Sequence, residues 1–74
     1  MALNHYDKMH SLGLNIAYYR KKKNISQIKL AEMINISRTH ISRIETAECA
    51  PSLEVVFDIC DALEIEPAKL FEIK

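Results

Sequence analysis

Residues 26–45 read Ser-Gln-Ile-Lys-Leu-Ala-Glu-Met-Ile-Asn-Ile-Ser-Arg-Thr-His-Ile-Ser-Arg-Ile-Glu and have the spacing of two short helices separated by a tight turn. The hydroxyl of Ser26 can cap the first helix, whose apolar stripe consists of Ile28, Leu30, Ala31 and Ile34. Asn35 tolerates the left-handed backbone conformation that ends a helix sharply. Ile36 is then expected to point into the core, and Ser37 can cap a second helix.

The second helix carries different side chains on its two sides. At about 100° per residue, Ile41 and Ile44 fall on one side, where they can anchor the helix. An arc of about 140° on the other side holds Arg38, Thr39, Ser42 and Arg43. Arginine binds guanine bidentately, and threonine and serine bond to several bases. Residues 33–44 contain no acid, which favours DNA binding over the alternative of a merely solvated polar face.

The whole chain resembles the lambda-repressor-like (Cro/CI, XRE) helix-turn-helix DNA-binding family. The resemblance covers residues 12–71 and rests on Leu12-Gly13, Ile16, Arg20, Ser26-Gln27, Leu30-Ala31, Ile36-Ser37, Ile41-Ser42, Ile44-Glu45, Pro51-Ser52, Ile59, Leu63, Leu70 and Phe71. It implies an all-α fold, a compact five-helix domain in which residues 38–44 form the recognition helix. That helix would enter the major groove of double-stranded DNA and read bases through Arg38, Thr39, Ser42 and Arg43.

The resemblance also implies roles for residues outside the recognition helix. Gln27 would contact the DNA backbone and buttress the recognition helix. Arg20 and Glu45 would form a structural ion pair across the fold. The loop after the helix, from Thr46 to Glu48, would touch phosphate through backbone amides.

The chain departs from the family pattern at the turn and in this loop. Asn35 stands where the family usually has Gly, and Asn accepts a positive φ better than most residues. Ala47 stands where Gly is frequent. The neighbouring acid, Glu48, is unfavourable beside a phosphate, so we expect this loop to differ in shape.

The remaining helices are expected on either side of this motif. Helix 1 is expected over residues 11–23, with Leu12, Ile16 and Tyr19 facing inward. Lys22 and Lys23 at its end can reach the DNA backbone. Alternatively, they only stabilise the negative end of the helix dipole and increase solubility. Pro51-Ser52 would start helix 4, whose broad apolar face suggests contacts on two sides and consists of Leu53, Val56, Phe57, Ile59, Cys60 and Leu63. Pro67 would start a last short helix, closed by Leu70, Phe71 and Ile73.

The 74-residue length predicts one small domain. Residues 1–10 are expected as an N-terminal extension that is disordered unless it extends helix 1 or packs on a partner, and residues 11–74 as the DNA-binding domain. No apolar run reaches 18 residues, and the N-terminus lacks the features of a signal peptide. We therefore expect a cytoplasmic protein without a membrane partner.

Charge is divided unevenly along the chain, although the formal net charge is zero. Residues 1–44 hold eight basic and two acidic side chains, and residues 45–74 hold two basic and eight acidic ones. Such a dipolar domain can turn its positive half toward phosphate. The alternative is that both halves are solvated and serve only solubility.

No pattern in the sequence indicates catalysis, a metal site, a cofactor or a small-molecule ligand. Cys49 and Cys60 have no spacing typical of a zinc or redox motif, and two thiols in a cytoplasmic chain are expected to be reduced. Cys60 is expected in the core and Cys49 in a loop, where a redox role is conceivable. His5, His10 and His40 show no mutual spacing of a site, and His40 either touches phosphate or faces solvent.

These observations predict a homodimeric transcriptional repressor that binds a palindromic operator and is not an enzyme. The dimer surface is expected in the region of helices 4 and 5, where Phe57, Phe71 and Ile73 exceed what one small core requires. The alternative is a helical protein-interaction module, antitoxin-like or docking another partner, with weak or no operator binding. The salt dependence of DNA binding would separate the two.

Overall fold

The computed structural model describes residues 4–72 and places five helices in them. These are α1 (Tyr6–Lys22), α2 (Gln27–Ile34), α3 (Arg38–Glu45), α4 (Leu53–Leu63) and α5 (Pro67–Leu70). All regular structure within these residues is helical, which confirms the predicted all-α five-helix fold.

The first helix begins earlier than the sequence pattern indicated. α1 starts at Tyr6 and not at Ser11, so residues 6–10 of the predicted N-terminal extension are helical. Two side chains favour this start: Asn4 accepts a hydrogen bond from the Tyr6 backbone N–H (2.9 Å), and Asp7 lies in the first turn. Residues 1–3 lie outside the described part of the chain. At its other end α1 finishes at Lys22, one residue before the expected boundary.

Serine hydroxyls cap the three middle helices. The Ser26 hydroxyl accepts a hydrogen bond from the Lys29 backbone N–H at the start of α2 (3.0 Å). Ser37 and Ser52 make the equivalent bonds at the starts of α3 and α4. Each bond satisfies one backbone donor that has no partner within the helix. The caps predicted at Ser26 and Ser37 are therefore confirmed, and Ser52, which was expected in the first turn of helix 4, is instead its N-cap.

The core is aliphatic and is built by all five helices. α2 packs against α3 and α4, and α1 packs against α3, α4 and α5. The fully buried side chains of the core are Ile16, Leu30, Ile41, Ile44, Ile59, Cys60, Leu63 and Leu70. Burial, with a smaller contribution from the charge of Asp61, raises the pKa of the Cys60 thiol. The thiol therefore stays protonated at neutral pH, and the core position predicted for Cys60 is confirmed.

Several apolar side chains lie outside this core. Ile28 was expected in the buried stripe of α2 but is 56% exposed. Leu53 and Phe57 are exposed on α4, so only part of its broad apolar face is covered within the chain. α5 ends at Leu70, and Phe71 follows as a half-exposed cap residue. Ile73, also expected to close α5, lies outside the described residues.

Residues 4–72 contain no cluster of three His, Cys, Asp or Glu side chains able to hold a metal ion. Within the same residues, every helix is too short or too polar to cross a membrane.

Candidate nucleic-acid interface

The outward side of α3 presents the four side chains predicted to read bases, and we call this set the reading surface: Arg38, Thr39, Ser42 and Arg43. Arg38, Thr39 and Arg43 are exposed, and Ser42 is half-buried. On the opposite side, Ile41 and Ile44 are almost completely buried. Apolar contacts therefore fix the rotation of α3 about its axis, and with it the direction of the reading surface.

The C-terminal end of α3 is held by a buried network of charged and amide groups. The Arg20 guanidinium donates to both oxygens of the Glu45 carboxylate, at 2.8 and 3.1 Å. Both residues are buried, at 7% and 8% exposure. Arg20 also donates to the Ile25 carbonyl oxygen (2.8 Å), and Gln27 donates its side-chain N–H to Glu45 (3.0 Å). The structure thus brings together the ion pair that the resemblance implied and joins α1, α2 and α3 at one carboxylate.

The turn between α2 and α3 depends on one left-handed residue. Asn35 has φ 61° and ψ 46°, which ends α2. The backbone N–H of Ile36 returns to the Ala31 carbonyl oxygen (3.0 Å), and the half-buried Ile36 side chain packs on the core. Asn35 therefore adopts the left-handed backbone conformation that it was expected to tolerate at this turn.

A glycine allows α1 to pass directly against the end of α3. Gly13 is buried, and a Cβ atom there would come within 2.8 Å of the Ile44 carbonyl oxygen. It would come still closer to the carbonyl group of Glu45. Any larger residue must therefore push α3 away from α1, because the clashing atoms are backbone and cannot rotate aside.

Two lysines at the end of α1 are exposed, but they differ in their surroundings. The Lys22 ammonium lies 5.9 Å from the centre of the Tyr18 ring and has an open approach to solvent. Lys23 donates to the Glu64 carboxylate at 2.8 Å. This hydrogen bond and the lysine charge lower the pKa of the Glu64 carboxyl. Lys22 is therefore the freer of the two for a phosphate contact.

The loop after α3 contains a contact that the sequence analysis did not identify. The Thr46 hydroxyl lies 2.8 Å from the Glu48 carboxylate and 3.0 Å from the Ser42 carbonyl oxygen. Glu48, which was expected to be unfavourable beside a phosphate, therefore lies next to Thr46, a candidate phosphate contact. His40, another candidate, is half-buried on α3. The spacing of Thr46 and Glu48 was the only sequence signal of this contact.

Ala47 has the backbone conformation for which glycine is preferred at this position. Its φ is 63°, so Ala47 lies in the left-handed region, which alanine adopts at a steric cost. We expect Ala47→Gly to raise the unfolding free energy by about 0.5–1 kcal/mol, because glycine removes the steric cost of a positive φ. Urea denaturation followed by circular dichroism measures this difference.

A matched control for Ala47→Gly lies in the same loop. Ala50 is outside the left-handed region, so Ala50→Gly should leave stability unchanged or lower it. Equal destabilisation by the two substitutions would contradict a strained backbone at Ala47.

Known proteins were compared with this chain and its fold. The family model described as Helix-turn-helix matches residues 16–70, more than half of the chain. The immunity repressor protein of Bacillus phage phi105 is 34% identical over 56 residues, which are 76% of this chain and 39% of the phage protein. The chain thus spans well under half of that relative's length.

Solved structures of regulators have the same fold. The restriction-modification controller protein C.AhdI from Aeromonas hydrophila superposes with a TM-score of 0.86 at 29% identity, covering 89% of this chain and 100% of that one. The master regulator for biofilm formation SinR, solved in complex with DNA, superposes with a TM-score of 0.77 at 27% identity, covering 82% and 98%. The chain belongs to the lambda-repressor-like (Cro/CI, XRE) family of helix-turn-helix proteins, which are DNA-binding transcription regulators and not enzymes.

Proposed function

We propose that the chain is a sequence-specific repressor that binds a palindromic operator as a homodimer, with α3 in the major groove. The main support for this proposal is that α3 is exposed on one side and buried on the other. Three of the four residues of its reading surface are exposed, whereas Ile41, Ile44 and Glu45 are buried on the other side of the helix and anchor it. A recognition helix needs this combination, because bases are read only when side chains are presented at a fixed angle.

The chemistry of the reading surface suits base edges in the major groove. Arg38 and Arg43 can each donate two parallel hydrogen bonds to a guanine. Thr39 can hydrogen-bond to a base or contact a thymine methyl group through its own methyl, and Ser42 can bond to several bases. SinR, a chain of the same fold, has been solved in complex with DNA, which supports DNA as the partner.

Phosphate contacts would surround the reading surface and set its register on the duplex. Gln27 opens α2, where backbone N–H groups and the helix dipole favour an anion, and its amide is already oriented by Glu45. Lys22, His40 and Thr46 are the other candidates. Lys23 would join them by exchanging Glu64 for a phosphate, since both are oxyanion acceptors. Such a protein would act in the cytoplasm, where bacterial and phage DNA is read.

The homodimer would form through the exposed apolar residues of α4 and the segment after α5. Phe57 and Phe71 are 50% and 46% exposed, which is more apolar surface than this end of a small monomer needs. A two-fold axis there would present two copies of α3 to successive major grooves, about 34 Å apart. The operator would then carry two inverted half-sites.

Selection of bound duplexes from a random DNA pool by the purified chain tests this proposal. An enriched motif with two-fold symmetry supports specific dimeric binding, and the spacing of its half-sites reports the dimer geometry. Absence of enrichment at low salt, where nonspecific binding is strongest, would overturn the proposal in favour of a protein-interaction module. Glu48 beside Thr46 is the one feature of the interface that favours this alternative.

Arg43→Ala and Lys22→Ala should weaken DNA binding in different ways. Loss of the base contact of Arg43 should cost about 1–3 kcal/mol on the selected operator and relax the preference at one base position. Loss of Lys22 should weaken binding evenly across sequences. It should also reduce the slope of log affinity against log salt concentration by about one, the contribution of one phosphate contact. Titrations of operator and scrambled duplex at several salt concentrations separate these effects.

Lys69→Ala is the matched control for these two variants. Lys69 is exposed on α5 and lies near Glu72, in the acidic part of the chain. Its removal should leave operator affinity unchanged within error. If Arg43→Ala and Lys22→Ala behave like this control, α3 does not dock as proposed.

A further inference from the structure

α1 has an uncovered face that none of the proposed DNA contacts uses. At about 100° per residue, five of its exposed residues fall within an arc of about 80°, and they are Asp7, His10, Leu14, Tyr18 and Lys21. We call this set the outer α1 face. The buried residues Leu12, Ile16 and Arg20 lie on the opposite side of the helix.

The middle of the outer α1 face is apolar although it meets solvent. Leu14 is 55% exposed and Tyr18 is 58% exposed. The Tyr18 ring packs edge-on against Tyr19, with the two ring centroids 5.0 Å apart, and this contact restrains it. A restrained aromatic ring loses little conformational entropy when a partner covers it, so this surface is suited to a protein contact.

The residues of this face are arranged symmetrically about Leu14. Leu14 is the central residue of Tyr6–Lys22. His10 and Tyr18 each lie four residues from it, and Asp7 and Lys21 each lie seven residues from it. If two copies of α1 pair antiparallel about a two-fold axis at Leu14, His10 of each copy meets Tyr18 of the other. Asp7 of each copy then meets Lys21 of the other, so both ends of the contact carry opposite charges.

We propose that the outer α1 face is a self-association surface, on which α1 of a second copy docks antiparallel with Leu14 on the two-fold axis. Charge selects this orientation. The antiparallel pair forms two Asp7–Lys21 contacts, whereas a parallel pair in register sets Asp7 against Asp7 and Lys21 against Lys21. At both ends of the helix pair, the charges therefore attract in the antiparallel arrangement and repel in the parallel one.

This contact is distinct from the proposed dimer surface at Phe57 and Phe71. One pair of 17-residue helices buries less than the roughly 1,200 Å² of a stable interface, so the contact adds to a dimer and does not replace it. Gly13 marks the side of α1 that touches α3, and the outer face points elsewhere. Copies can therefore pair through α1 while the reading surface remains open.

Cross-linking at the proposed two-fold axis tests this pairing. Leu14→Cys in a Cys49→Ser chain places one accessible thiol on the axis, while Cys60 stays buried in the core. A short bismaleimide should join two such chains in at least about fivefold higher yield than it joins chains with Lys8→Cys, because docked groups have a high effective concentration. Lys8 is exposed on the same helix but outside the outer face. Equal yields at the two positions would overturn the proposal.

Charge exchange gives a second, independent readout in the same cross-linking background. Asp7→Lys alone, or Lys21→Asp alone, sets like charges against each other and should lower the yield roughly threefold to tenfold. In an equimolar mixture of the two variants, a pair that contains one chain of each variant again has opposite charges in contact. Such mixed pairs should make up more than the half of all cross-linked pairs that random assortment predicts. Mass spectrometry of chains with and without a tag counts these pairs. Random assortment would show that the charges do not face each other and would overturn the antiparallel arrangement.

Circular dichroism of each variant verifies that α1 remains folded, and the substituted positions on this helix, which are Asp7, Lys8, Leu14 and Lys21, are all exposed. The experiment is carried out without DNA. Its result is therefore independent of operator binding, and its failure would leave the proposed repressor function untouched.

Discussion

Glu45→Ala should lower the unfolding free energy by about 3–5 kcal/mol, because it leaves a buried guanidinium without its carboxylate. Arg20 is 7% exposed and directs two hydrogen bonds at Glu45. The substitution also removes the acceptor of the Gln27 amide. Urea denaturation at neutral pH, followed by far-ultraviolet circular dichroism, measures the change.

The effect is large because removal of one charged partner leaves the other charge buried and unpaired, whereas removal of both partners leaves no buried charge. Arg20→Met combined with Glu45→Leu removes both charges, so the double variant should recover much of the stability lost in Glu45→Ala. Lys23→Ala is the surface control, since its ion pair with Glu64 is largely exposed and should matter far less. If Glu45→Ala and Lys23→Ala are equally mild, water reaches the Arg20–Glu45 pair and the network does not fix α3.

Gly13→Ala should lower the unfolding free energy by about 2–3 kcal/mol, although alanine is the better helix former. The added Cβ would lie within 2.8 Å of the Ile44 carbonyl oxygen and closer still to the Glu45 carbonyl group. Both are backbone atoms at the end of α3, so relief requires a shift of the whole helix. Thermal and urea unfolding of the variant measure the loss.

Lys8→Ala on the same helix provides the comparison for Gly13→Ala. Lys8 is exposed, and its replacement should change stability by no more than about 0.5 kcal/mol. A stabilised Gly13→Ala chain would mean that helix propensity dominates and that α1 does not approach α3 this closely. A destabilised chain that still folds should also bind operator less well, because the displaced end of α3 carries Arg43.

The local features of the helix-turn-helix could be predicted because their causes lie within a few residues. Ser26 and Ser37 cap helices through bonds to N–H groups three residues ahead. Asn35 ends α2 through its own backbone conformation. The burial of Ile41 and Ile44 opposite the reading surface follows from helical periodicity alone. Each of these expectations is confirmed.

The wrong expectations concern surfaces whose environment depends on distant parts of the chain. Ile28 fits the periodicity of α2 but finds no partner to cover it, and it is 56% exposed. By contrast, the exposure of Leu53 and Phe57 agrees with the expectation that the apolar face of α4 is broader than one small core requires. α1 begins at Tyr6 and not at residue 11, because Asn4 and Asp7 favour a helix start there that apolar periodicity does not reveal.

The sequence by itself determined the helix caps, the turn between α2 and α3 and the set of polar side chains on the outward side of α3, and its resemblance to a known family implied the five-helix class. Periodicity, caps and turn residues act over one or two helical turns and can be interpreted without coordinates. The tertiary structure alone decided that Gly13 lets α1 touch the end of α3, that Gln27 joins the Arg20–Glu45 pair, and that Glu48 engages Thr46. It also decided which side of α1 stays uncovered, because exposure is set by how whole helices pack and not by the spacing of residues within one of them.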